Sequence, residues 1–174
     1  MPTALIALGS NINPETNLAA GVRLLAAHVQ LTGASPVYRT PPWGIISQAP
    51  FLNAVVIAET DLTPEALLTL LLDIERQRKR VRTIQNGPRT LDLDLLAYDG
   101  KVMDTERLIL PHPRMHERGF VLVPLNDLLP GWKHPVLRRT IADLLATADR
   151  TGIVRTEFVL TLPRRGDPTP DSPK

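Results

Sequence analysis

The 174-residue chain contains no cysteine. That excludes disulfide frameworks, cysteine-ligated zinc and thiol nucleophiles together, and it fits a cytoplasmic location. Aromatic residues are scarce, with two Trp, two Tyr and three Phe. No stretch approaches the roughly 18 consecutive apolar residues of a membrane-spanning helix, so no membrane partner is expected. The start, Met1-Pro2-Thr3-Ala4-Leu5, has no basic region ahead of an apolar core and does not read as a secretion signal. Charge of one sign is also lacking. The formal net charge is only +2, which excludes a polycation. What remains is an ordinary apolar fraction of 43 %, over a length that suggests one domain with a real core.

The charge that is present is uneven. From Arg76 to Arg89 there are six basic residues and no acidic one: Arg76, Arg78, Lys79, Arg80, Arg82 and Arg89. Clustered arginine suits an anionic partner, either a polyphosphate or a nucleic acid, unless it is simply a solvated helix end.

Periodicity organises the rest. Thr3 to Leu8 reads as a buried strand broken by Gly9-Ser10-Asn11. Asn13-Pro14 signals a helix start, and Leu18, Val22, Leu25 and Val29 recur at helical spacing behind it. Gln30 to Arg39 reads as a second strand, Thr40 to Pro50 as a proline-rich loop, and Phe51 to Thr60 as a third strand. Thr63-Pro64-Glu65 opens a second helix with Leu67, Leu71 and Ile74 as its apolar stripe. Thr90 to Tyr98 is an alternating strand, and Asp99-Gly100 predicts a hairpin turn after it. A short helix is expected over Val121 to Leu129, and Thr140 to Asp143 resembles a capping box. Residues 1–162 are read as a single domain, and the proline-rich segment 163–174 as a disordered tail. Strand–helix–strand repeated twice predicts an α+β fold, the ferredoxin-like sandwich. Its antiparallel sheet carries both helices on one face. The other face is left for a ligand or for extra C-terminal elements.

Chemistry concentrates in Gly87-Pro88-Arg89-Thr90-Leu91-Asp92-Leu93-Asp94-Leu95. On a strand the leucines point into the core while Asp92 and Asp94 share the opposite face, about 7 Å apart. Parallel carboxylates at that spacing repel unless a cation sits with them. Hard oxygen donors with few protein partners suit Mg²⁺ bound together with phosphate, and two such ions could clamp a displacement at phosphorus. An ordinary solvent-facing strand is the plain alternative. Phe51 and Asn53 also share a strand face. An asparagine amide pairs a donor with an acceptor and so can match a heterocycle edge, on which a ring can stack. Trp43 in the loop, Phe120 after Arg118-Gly119, and His112 between two prolines complete the candidates.

Four blocks carry a resemblance to the hydroxymethyldihydropterin pyrophosphokinase family, from near the start to about Asp127. They are Ala7-Leu8-Gly9-Ser10-Asn11; Tyr38 to Gly44 with Phe51-Leu52-Asn53-Ala54; Gly87 to Asp94; and Pro111-His112 with Arg118-Gly119-Phe120-Val121. The resemblance implies transfer of the β,γ-pyrophosphoryl group of ATP to a pterin alcohol, with release of AMP. It implies that Asp92 and Asp94 hold two Mg²⁺ ions, with Asp92 also at the pterin. Asn53 would read the pterin edge, and Phe51 and Phe120 would sandwich its ring. Thr40, Pro41 and Trp43 would line the same pocket. Glu75, Arg80, Arg82, Arg89, His112 and Arg118 would meet ATP, and Arg80, Arg89 and Asp94 would act in catalysis. This chain departs from the family pattern with Asn86 before Gly-Pro-Arg, Pro113 after the histidine, and Trp43 in the loop. A monomer working on small molecules, without nucleic acid, is expected. The competing reading is a ferredoxin-like RNA-binding module. Two aspartates on its open face would repel a phosphate backbone.

Overall fold

The computed structural model describes residues 1–42, 47–78, 90–164 and 167. Trp43, Arg80, Arg82, Arg89 and most of the expected tail lie outside the described residues. The elements run β1 (Thr3–Ser10), α1 (Pro14–Ala26), β2 (Gln30–Ala34), β3 (Tyr38–Thr40), β4 (Phe51–Glu59), α2 (Pro64–Gln77), β5 (Asp92–Tyr98), β6 (Met103–Asp104), β7 (Ile109–Leu110), α3 (Gly119–Leu128), α4 (Ile141–Ala146) and β8 (Val154–Arg155). The main sheet is antiparallel, in the order β5-β1-β4-β3-β8, with β2 on β4 beside β3. This is the ferredoxin-like sandwich.

β1 and β4 are apolar nearly throughout because the sheet is covered on both faces. Ile6, Leu8, Leu52, Val56 and Leu93 pack with Leu18, Val22 and Leu25 of α1 and with Leu67, Leu71 and Ile74 of α2. The alternate residues Leu5, Val55 and Leu96 pack with Val121, Leu122 and Leu125 of α3 and with Ile141, Leu144 and Leu145 of α4. Each fully buried aliphatic side chain contributes about 1.5–3 kcal/mol. The C-terminal elements therefore cover most of the second face. The Tyr38 hydroxyl donates to Asp127 of α3, which ties that layer to β3.

Several expectations need correction. The second strand is two strands, because Pro36 has no N–H to give a ladder. Ser35 bridges the gap: its N–H donates to Val55 O and its Oγ accepts from Val55 N, both at 2.9 Å. α1 ends at Ala26 rather than Val29, and Asn13 is left-handed (φ 42°) with no side-chain cap bond. Thr63 does cap α2, accepting from Ala66 N at 3.2 Å, and the Thr140–Asp143 capping box forms. α3 begins earlier than predicted, at Gly119, and carries Pro124 inside it. Asp99 turns the chain with φ 48°, but no hairpin on β5 follows. β6 pairs with β7 instead. β5 bulges at Leu96, where its register against β1 shifts, and the freed Leu96 carbonyl accepts from His112 N at 2.8 Å.

Candidate active site

The C-terminal layer leaves one end of the sheet open, where β1 stops and β4 and β5 begin. A cleft of about 360 Å³ lies there, within the range of small-molecule sites. Its floor is a row across three strands. Asn53 of β4 and Asp92 of β5 both lie opposite Gly9 of β1, and Asp94 lies opposite Ala7. Strand alternation turns these residues away from α1 and α2, since their neighbours Leu8, Leu52, Ala54 and Leu93 belong to that core. Small residues opposite both carboxylates leave room beside them.

Gly9 has a specific job. A Cβ there would stand 2.7 Å from Asn53 Oδ1, so the amide lies across the glycine. Asn53 Nδ2 donates to Thr40 Oγ1 at 2.7 Å, which fixes the amide's orientation. Asn53 is buried, yet it lines the cleft together with Thr40, Pro41 and Phe51. The opposite wall comes from the start of α3. The Arg118 guanidinium lies over the Phe120 ring at 5.5 Å, and its Nη1 is 3.8 Å from Asp94 Oδ2. That ion pair is long and partly exposed, so it is a weak one.

Eight residues expected from sequence thus meet in one cleft: Thr40, Pro41, Phe51, Asn53, Asp92, Asp94, Arg118 and Phe120. Two others do not line it. Glu75 sits buried at the end of α2, where Oε1 accepts from Leu93 N at 2.9 Å and holds β5 in place. His112 stands beside the cleft after a cis Leu110–Pro111 bond. Burial, with Arg118 and then Arg114 nearby, pushes its pKa down to about 4 against the opposing pull of Asp92. Its Nδ1 accepts from Arg114 N at 3.2 Å. The neutral ring therefore carries its proton on Nε2 and presents a donor. The structure adds lining residues that the sequence reading missed: Arg114, Glu117, Asp149, Thr151 and Ile153. Arg114 had a readable signal, as a cation two residues beyond His112.

The family model for 7,8-dihydro-6-hydroxymethylpterin-pyrophosphokinase matches residues 5–130, a span that includes the whole cleft floor. The chain belongs to this pyrophosphokinase family. It is 44 % identical over 160 residues to the 2-amino-4-hydroxy-6-hydroxymethyldihydropteridine pyrophosphokinase of Methylorubrum extorquens, covering 90 % of this chain and all of that one. The Bacillus subtilis protein of the same name is 48 % identical over 128 residues, covering 72 % and 77 %. A Plasmodium falciparum HPPK-DHPS crystal structure superposes with a TM-score of 0.70 at 17 % identity, covering 83 % of this chain and 43 % of that longer one. That likeness carries the fold alone. Among the described residues, no helix is long and apolar enough to cross a membrane.

As a member of the pyrophosphokinase family the chain needs a place for a divalent cation. The donor set fits magnesium: two carboxylates side by side on β5, no thiolate anywhere in the chain, and open space next to them for phosphate oxygens.

Proposed function

We propose that this cleft moves the β,γ-pyrophosphoryl group of ATP onto the hydroxymethyl group of 6-hydroxymethyl-7,8-dihydropterin, giving the pterin diphosphate and AMP in folate synthesis. The observation that carries the reading is the row Asn53–Gly9–Asp92. It sets an amide reader for a heterocycle edge two strands away from a phosphate-metal carboxylate, on one face of one sheet. A flat ring held at Asn53 between Phe51 and Phe120 would then point its hydroxymethyl group toward Asp92 and Asp94.

The chain's own residues act mainly by position and charge, as phosphoryl transfer requires. Asn53, oriented by Thr40, fixes the pterin edge. Arg118 brings positive charge to the carboxylate side of the cleft, and neutral His112 offers an Nε2–H donor to a phosphate oxygen without adding charge. Asp92 and Asp94 would hold two magnesium ions. Such ions, when bound, neutralise phosphate charge and lower the pKa of an attacking hydroxyl. Arg80, Arg82 and Arg89, outside the described residues, are assigned to the nucleotide phosphates by the family resemblance, with Arg80 and Arg89 offsetting charge as AMP leaves.

The test is direct. ATP, Mg²⁺ and the pterin alcohol are mixed with the protein, and nucleotides are separated. AMP should form one for one with pterin diphosphate. ADP in its place, or no turnover, refutes the assignment.

A further inference from the structure

Residues 149–153 lie beyond the matched family span, which ends at residue 130, yet Asp149, Thr151 and Ile153 line the cleft. The segment is a closed turn anchored downstream. Thr151 N donates to Asp149 Oδ1 at 2.9 Å and Ile153 N donates to Arg150 O at 3.2 Å, closing it into a turn. Downstream, β8 pairs with β3 (Tyr38↔Arg155, Arg39↔Val154), and Thr156 N donates to Val37 O at 2.9 Å.

Two glycines let this turn approach both walls of the cleft. At Gly119, the first residue of α3, a Cβ would stand 2.1 Å from Asp149 O and 3.1 Å from Ile153 Cδ1. At Gly152 (φ +75°) a Cβ would stand 2.7 Å from Pro41 Cγ. One short turn therefore abuts the Thr40–Pro41 wall on one side and the Gly119–Phe120 wall on the other.

We propose that residues 149–153 are a positioning strap for the pterin half of the cleft. The strap holds the Pro41 and Phe120 walls at a set separation and so decides how closely they close on a flat ring. This rests on the pyrophosphokinase reading of the cleft. The carboxylates that would face the nucleotide stand on β5, in register with β1, whereas the strap abuts the pterin walls.

The test uses Gly152→Ala, Gly152→Asn and Ile153→Ala in the full-length protein, with KM measured separately for the pterin alcohol and for ATP. Asparagine tolerates positive φ far better than alanine, yet it carries the same Cβ toward Pro41. Both glycine variants should raise the pterin KM about tenfold, the order of effect a sub-ångström misplacement produces, and leave the ATP KM unchanged. Ile153→Ala should shift the pterin KM the same way. The proposal is overturned if asparagine restores the wild-type KM, if both KM values rise together, or if only the melting temperature changes. Should the glycine variants fail to fold, Ile153→Ala decides alone. Absence of AMP from the wild-type enzyme would strike at the reaction and not at the strap, which the same variants still test through fluorescence titration of the pterin.

Discussion

Replacing Asp94 with alanine removes one of two carboxylates that share a strand face opposite Ala7 and Gly9. The side chain is half-exposed and supports no core packing, so the fold should stand. Its loss should lower kcat by at least about a thousandfold, because charge at phosphorus would lose a principal anchor. Near-normal turnover of Asp94→Ala in a steady-state assay would remove it from the reaction. Thr40→Val keeps size but deletes the acceptor that orients Asn53 Nδ2. One buried hydrogen bond contributes about 1 kcal/mol, so the pterin KM should rise about fivefold to tenfold with the ATP KM unmoved, and Thr40→Ser should restore it. Equal shifts in both KM values would deny Thr40 this orienting role. At this scale the sequence was informative, because period-two alternation leaves no freedom in which face Asp92, Asp94, Phe51 and Asn53 share. What alternation could not show was the reason for Gly9, which appears only when β1 and β4 are in register and Asn53 lies across the bare Cα.

Elements were legible where a local rule governs them and illegible where tertiary contacts do. Thr63 and Thr140 cap their helices as their sequences specify. The break at Ser35–Pro36 was concealed because Ser35 substitutes its own hydroxyl for a missing ladder partner, which no propensity encodes. Asp99 takes the positive φ of a tight turn, but β6 pairs with β7 and not with β5, so the hairpin rule failed on partner choice. The segment joining β7 to α3 yields a pH prediction. His112 is held neutral, its folded pKa near 4 against 6.5 when unfolded, by burial and by Arg118 and Arg114, with Asp92 opposing. A depressed histidine pKa contributes stability that is present above about 6.5 and is lost as pH falls toward 4, since the unfolded chain then binds a proton the native state refuses. Between those limits wild type should lose up to ~1.4 kcal/mol per pH unit more than His112→Asn. Urea unfolding at pH 7, 5.5 and 4.5 checks this; parallel curves for the two proteins would show that the histidine takes up its proton in the fold as readily as in the unfolded chain.

At the scale of the molecule, the cleft joins parts of the chain that sequence treats unequally. Its floor falls in the family-matched span, where spacing made it readable, whereas the strap at residues 149–153 acts through glycine and carbonyl contacts that leave no periodic trace. The cleft also divides electrostatically. Asp92 and Asp94 crowd one side, with Arg118 and Arg114 alongside, and a net charge of only +2 supplies no general attraction for a polyanion. ATP alone would bring its phosphates against two carboxylates. ATP with Mg²⁺ would bring its own cation to that side of the cleft. A non-hydrolysable ATP analogue should therefore raise the melting temperature only when Mg²⁺ is present. At a hundred times its dissociation constant it should add about 2.7 kcal/mol. Adding the pterin alcohol should raise the temperature further, and EDTA should abolish both increments. In Asp94→Ala the Mg²⁺-dependent increment should disappear while the melting temperature of the protein alone stays put. Stabilisation of wild type by the analogue in the presence of EDTA would mean that the arginines suffice to hold the nucleotide, and that the paired carboxylates on β5 serve something other than its metal.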